Sequence, residues 1–246
     1  MRMAKSIGLR LGAWLLRDRS PKAVFYHDIS KNYTPMGTSA KVFWAHMEAL
    51  SRHRVTGGAR HCVCFDDGFR GIWDAREQLA AAGIRPMVFI AVDLIGRANY
   101  LSWEEVLTLQ RDYGFDFQSH TWSHQTLAGP PTVESGLKTI DRTEAWFAHE
   151  LADAKTELER RLGKTVEGLC FPVGYFNAEV VRRCAAAGYK RLYASFPGNL
   201  PRHFTDDVTV IPRCLCQFLS VGDFRAVLNG GMNLFVARYR RRCWVE

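Results

Sequence analysis

Residues 61–69 read HCVCFDDGF. Four apolar residues, Cys62 to Phe65, run without interruption into two carboxylates and a glycine. A short unbroken apolar run closed by turn residues is the pattern of a strand buried on both faces, as in a parallel sheet. Asp66 and Asp67 then fall at its C-terminal end. Carboxylates are costly to bury without partners, although Asp-Asp-Gly is also an ordinary turn. The same pattern recurs along the chain. AVFYH at 23–27 stops at Asp28, MVFIAV spans 87–92, DFQSH at 116–120 ends on His120, and VEGLCFP at 166–172 is cut by Pro172. RLYAS at 191–195 and VTVIPR at 208–213 complete the set.

Helical spacing fills the intervals. Val42, Phe43, Met47 and Leu50 mark a helix over 40–53, and another over 71–82 ends near Gly83. Ser102 and Glu105 form a capping box for 103–112. Trp146, Phe147, Leu151, Leu158 and Leu162 give 144–162 an apolar face, and Asn177 caps a helix running to Gly188. Strands alternating with helices predict a parallel α/β sheet or barrel. Residues 121–143, with Gly129, Pro130, Pro131 and Gly136, read as an active-site loop. Polar residues gather at four strand exits: His27, Asp66 with Asp67, His120, and Pro172 with Gly174. In parallel α/β folds those exits share the face where ligands bind.

The 246 residues suit one domain, here 22–219, with an amphipathic N-terminal extension over 1–21 and a C-terminal helix and basic tail over 220–246. With 47% hydrophobic and 24% charged residues the chain is neither disordered nor fibrous. The net charge of +8 favours anionic partners. Nucleic acid is not expected among them, because no recognition motif accompanies the charge. Seven cysteines, mostly in apolar runs, read as buried thiols in a reducing compartment. Cys62–Cys64 and Cys214–Cys216 have strand spacing that points both members one way, a weaker pattern than a zinc ribbon.

Near the N-terminus, Ile7, Leu9, Leu11, Trp14, Leu15 and Leu16 are interrupted by Arg10, which predicts an amphipathic helix rather than a span or an export signal. It packs on the protein or lies on a membrane surface. Phe224, Val227 and Leu228 begin a C-terminal helix that Gly230 and Gly231 weaken. Leu234, Phe235 and Tyr239 extend an apolar face toward Arg240–Arg242 and Trp244. That run is solvated surface or a contact for anionic lipid.

HTWSH at 120–124 carries two histidines four apart, which a helical turn or a loop can aim at one point. Two imidazoles and one of the Asp66–Asp67 pair make a three-ligand set for zinc or a related ion, with a position left for water. The second carboxylate then faces that water. Paired surface histidines are the plainer alternative.

FDDGF at 65–69, HTWSH at 120–124 and FPVGY at 171–175 resemble three motifs of the polysaccharide deacetylase (NodB-homology) family, a group of metal-dependent carbohydrate esterases. The resemblance covers roughly residues 22–213. It implies an α/β single-domain distorted (β/α)7-type barrel with short strands and outer helices. It implies one divalent ion, zinc by default or else cobalt, nickel or manganese, on Asp67, His120 and His124. Asp66 would be the general base, with Pro172 and Gly174 shaping an acetyl pocket and the N–H of Tyr175 or a neighbour as oxyanion donor. Two family features are absent: an arginine opening the third motif, and a Leu-x-x-His near the C-terminus. YHDIS at 26–30 resembles the first strand of a circularly permuted branch, in which His27 supplies the catalytic acid. Arg213 is then the candidate partner for Asp66, or else an ordinary structural charge. His203, in PRHFTDD, is the one later histidine.

The implied reaction is removal of an acetyl group from an N-acetylated sugar. The expected substrate is a nucleotide- or lipid-linked precursor handled in the cytoplasm or at the inner face of an anionic membrane. Trp122, Tyr175, Phe176 and Trp103 are candidate sugar platforms, with core packing the alternative for Trp103. Two other functions remain open: a non-catalytic carbohydrate-binding relative, and a hydrolase of another C–N bond.

Overall fold

The computed structural model describes residues 2–56, 60–133, 136–198, 202–205 and 207–245. Helix α1 (Arg2–Leu16) precedes strand β1 (Ala23–Tyr26), and α2 (Ala40–Arg52) leads to β2 (Cys62–Phe65). The helix expected over 71–82 turns at Ala75 into α3 (Gly71–Asp74) and α4 (Arg76–Ala81). Then come β3 (Met87–Ile90), α5 (Trp103–Tyr113) and β4 (Asp116–Ser119). The Ser102–Glu105 capping box is present in full, and Gly114 ends α5 in the left-handed region.

The long helix over 144–162 has three parts: α6 (Glu144–Ala148), a π-helical turn (His149–Asp153) and α7 (Ala154–Leu162). Pro172 limits β5 to Gly168–Cys170, because the chain enters a 3₁₀ turn there. Next come α8 (Ala178–Ala186), capped by Asn177, and β6 (Arg191–Ala194). The PRHFTDD segment contains β7 (Arg202–Thr205), antiparallel to β8 (Val208–Pro212). The His203 side chain lies outside the described residues. The chain ends with β9 (Cys214–Leu215), α9 (Val221–Leu228), a 3₁₀ turn over Gly231–Phe235, and α10 (Val236–Cys243).

The sheet order is β7-β8-β6-β5-β4-β3-β2-β1-β9, and every pairing except β7–β8 is parallel. β8 pairs with β6, and β9 pairs with β1, yet only Arg213 separates β8 from β9. One run of chain therefore joins the two sides of the sheet and nearly closes the barrel. Phe25, Cys64, Phe89, Cys170 and Tyr193 form a small cluster apart from the main core. Register pairs Phe25 with Cys64 and Cys170 with Tyr193, so these are the inward residues of one layer. The main core lies between barrel and helices, where Tyr26, Phe65 and Phe117 meet Phe43, Leu109 and Leu158. Leu9, Phe224, Met232 and Cys243 join the same core. No described helix is long and apolar enough to cross a membrane.

Asp28 is buried just beyond β1. It accepts from the Ile29 N–H at 2.9 Å, and its Oδ2 has no partner among the described residues. Burial raises its carboxyl to about 7, only partly offset by backbone N–H groups. Such a group favours folding below its unfolded pKa near 3.8, and that contribution is lost as pH rises through about 7. Asp28→Asn keeps an acceptor oxygen and does not ionise. Thermal melts of this variant should show a shallower loss of Tm across that window than wild type, and equal slopes would refute the assignment.

Candidate active site

Asp66 and Asp67 leave the end of β2 in different directions. The Asp66 N–H bonds the Tyr26 carbonyl at 3.0 Å, which continues the ladder to the rim. Asp67 and Gly68 then both take positive φ, at 71° and 81°. A Cβ at residue 68 would lie 2.9 Å from the Ile90 side chain, so only glycine fits the turn. Asp66 points inward to Arg213, with Nη1–Oδ1 at 2.6 Å and Nη2–Oδ2 at 2.8 Å. The guanidinium is fully buried and lies 4.2 Å from the Phe25 ring centroid and 5.0 Å from that of Phe89. Burial pushes the Asp66 carboxyl up, but Arg213, with smaller help from His120 and His27, brings it below its ordinary value.

Asp67 faces the histidines. Its Oδ1 lies 3.3 Å from His120 Nε2 and 3.1 Å from His124 Nε2. Both are close ion-pair approaches, although strict hydrogen-bond geometry leaves this buried oxygen without a partner among the described residues. Burial again opposes ionisation, and His124, His120 and His27 outweigh it, holding Asp67 well below the carboxylate range. His120 Nδ1 meets the Cys170 carbonyl at 2.8 Å, which orients the ring with Nε2 toward Asp67. One oxygen of Asp67 and one ring nitrogen each of His120 and His124 thus lie within 4.8 Å of one another, an arrangement that fits a divalent cation.

Asp66, His120 and Cys170 form a second close group. They suit a cation poorly. Arg213 occupies both Asp66 oxygens, and burial pushes the Cys170 thiol well up, away from the thiolate a metal needs.

Other parts of the fold hold this rim. Thr121 and His124 have φ of 70° and 61°, strained values for non-glycine residues. Thr121 Oγ1 accepts the His124 N–H at 3.2 Å. Glu150 accepts from the N–H groups of Trp122 at 3.1 Å and Ser123 at 3.0 Å, and from Ser123 Oγ at 2.5 Å. The π-helical turn carries this buried carboxylate into the core side of the motif. Its sequence signal was a charged residue on an apolar helix face, beside Leu151. Arg142 ties the following loop by bonding the carbonyls of Thr126 and Gly129.

His27 lies one residue past β1. Its Nδ1 is 2.6 Å from Gln217 Oε1, not bonded to Asp28, and its charge bears on both Asp66 and Asp67. No sequence pattern announced Gln217. Pro172 and Gly174 are buried in the 3₁₀ turn, where Val173 has φ of 59°. The Tyr175 N–H has no backbone partner among the described residues. Trp122 is half-buried beside the histidines, with its Nε1–H on Asp93 at 3.1 Å and its ring 4.4 Å from that of His149. Of the other candidate platforms, Phe176 lies elsewhere and Trp103 takes its core-packing alternative. Phe176 is buried and stacks on Phe171 at 4.6 Å, and Trp103 lies in the outer layer under Arg161. Cys62 and Cys64 stay free thiols, 3.6 Å apart.

The polysaccharide deacetylase family model matches residues 54–192, more than half of the chain and all three motifs. The chain belongs to that family. The protein YxkH of Bacillus subtilis (strain 168) is 24% identical over 212 residues, which span 77% of this chain and 70% of YxkH. Among solved structures, IcaB from Ammonifex degensii aligns with a TM-score of 0.68 at 15% identity, covering 87% of this chain and 98% of that one. The Streptococcus pyogenes deacetylase PplD, in complex with acetate, aligns with a TM-score of 0.66 at 15% identity, covering 85% and 98%. At such identities the structural likeness establishes the fold. The family membership rests on the sequence match.

Removing one member of the buried pair tests how the barrel interior is held. Arg213→Met leaves Asp66 buried without its partner and should cost roughly 3–5 kcal/mol of stability. Adding Asp66→Asn should recover part of that loss in chemical denaturation. A single variant as stable as wild type would show that the pair is not holding the interior.

Proposed function

We propose that this chain hydrolyses the N-acetyl group of an N-acetylated sugar in a glycan or glycan precursor, using one divalent metal ion. The observation carrying this reading is the convergence of His120 and His124 on one buried oxygen of Asp67, beside an ionised Asp66. Asp67, His120 and His124 are the proposed ligands. Two imidazoles and a carboxylate suit zinc, with cobalt, nickel or manganese as alternatives. When bound, such an ion polarises the acetyl carbonyl and makes a water more acidic.

Asp66 is the proposed base. It is ionised at neutral pH, and each oxygen keeps a lone pair beyond its Arg213 contact. Arg213 also makes it a weaker base, so its second duty is to orient the attacking water. The Tyr175 N–H, placed by Pro172 and Gly174, is proposed to face the oxygen that turns negative during attack. His27, held at Nδ1 by Gln217, is the proposed acid that protonates the departing amine through Nε2. Trp122 is the proposed aromatic wall for the sugar. Acetate and a free amino sugar are the products, and acetate is the molecule in the PplD complex.

The carrier is proposed to bear phosphate, as a nucleotide- or lipid-linked sugar. The net charge of +8 supports an anionic substrate, and seven free cysteines support a cytoplasmic setting at the inner face of a membrane.

Acetate release is measured over UDP-linked, lipid-linked and polymeric N-acetyl sugars, with metal content determined on the same sample. About one ion per chain and release from at least one substrate are expected. No release by metal-replete protein would overturn the reading. Asp66→Asn should keep the metal and lose turnover, and near-normal release would exclude Asp66 as base. His27→Ala should slow release by roughly 10²–10⁴ with metal content unchanged. A rate within about tenfold of wild type would remove His27 from proton transfer.

A further inference from the structure

Helix α1 is packed through its small side. Leu9 and Gly12 face the protein, and a Cβ at residue 12 would lie 2.7 Å from the Gly231 carbonyl oxygen. The opposite face carries the bulk of the apolar surface: Ile7 is 62% exposed, Leu11 49%, Trp14 64% and Leu15 55%. Their spacing puts them in one stripe. A helix with no partner but its own domain gains by burying that stripe, and this one leaves it in water.

The charges carried by the two terminal helices themselves are basic. Lys5 and Arg10 are the charged side chains described on α1, which has no acidic residue in its sequence. α10 reads VARYRRRC, with Arg238, Arg240, Arg241 and Arg242 exposed and no acidic residue. The two helices adjoin, since Lys5 Nζ lies 5.9 Å from the Tyr239 ring centroid. Leu234, from the turn leading into α10, is also exposed. An apolar stripe with tryptophan, flanked by lysine and arginine and with Asp223 paired to Arg10 at 3.7 Å, complements the acyl boundary and headgroups of an anionic bilayer.

We infer that α1 and α10 form a seat for an anionic membrane surface, with Ile7, Leu11, Trp14 and Leu15 entering the headgroup–acyl boundary. A cavity of about 180 Å³ opens between α1, α10 and the 172–175 turn, lined by Lys5, Tyr175, Phe218, Tyr239 and Arg242. Tyr175, the proposed oxyanion donor, is part of that lining. This inference supplies the surface for the membrane-side setting proposed above, and it does not require deacetylation, because binding is measured without turnover.

Flotation of the full chain with vesicles of phosphatidylcholine, and of phosphatidylcholine mixed with phosphatidylglycerol, provides the test. Wild type should float with the anionic vesicles, less so as salt rises. Leu11→Gln with Trp14→Gln should weaken binding by about tenfold or more. Arg240→Gln with Arg241→Gln should weaken binding to the anionic vesicles while leaving Tm unchanged, which controls for folding. Acetate release from a soluble substrate should be the same in both variants. Absence of wild-type binding, or equal binding by the variants, would overturn the inference. So would a self-associated wild type that the Leu11 and Trp14 changes make monomeric with lipid binding unaltered, since a second copy would then cover the face.

Discussion

The bidentate pair of Asp66 with Arg213 sits inside the barrel between the rings of Phe25 and Phe89. A lone carboxylate there would protonate, and a lone guanidinium would be prohibitively desolvated. Together they stay ionised in a layer otherwise made of aromatic rings and thiols. Arg213 is also the residue at which the last run of chain passes from β6 to β1. Barrel closure and the charge state of Asp66 therefore depend on the same side chain.

That fixed carboxylate gives the rim its asymmetry. Asp66 is satisfied from within, whereas Asp67 turns outward and meets two imidazoles that do not complete its hydrogen bonding. Positions with strained φ cluster here, at Asp67, Thr121, His124 and Val173. Each costs about 1–3 kcal/mol and needs its surroundings to hold it. Glu150, Thr121 Oγ1 and the Cys170 carbonyl supply those restraints. The rim is thus preorganised by the helical shell and by strand ends, rather than by its loops alone.

The terminal helices share the core of the barrel through Leu9, Phe224, Met232 and Cys243. They also carry the arginine run of α10 and the exposed apolar stripe of α1. Tyr175 belongs to the proposed chemistry at the rim and lines the cavity beside the proposed lipid seat. An anionic, membrane-held sugar would satisfy both.

The sequence by itself determined the alternation of strands and helices, because strand runs and helical stripes depend on near neighbours. It also determined the motifs FDDG, HTWSH and FPVGY, and with them the family and the residues that gather at the rim. It named Arg213 as a candidate partner for Asp66 without choosing that role over a plain structural charge. The structure chose, by bringing together residues 147 positions apart. His27 and Gln217 meet across 190 positions, and no local pattern records such a contact. Tertiary packing also moved Phe176 and Trp103 into hydrophobic layers, since an aromatic residue reads the same in a core as in a sugar site. It alone decided which face of α1 is covered, because the helix period shows two faces and only the neighbouring turn at Gly231 shows which one fits.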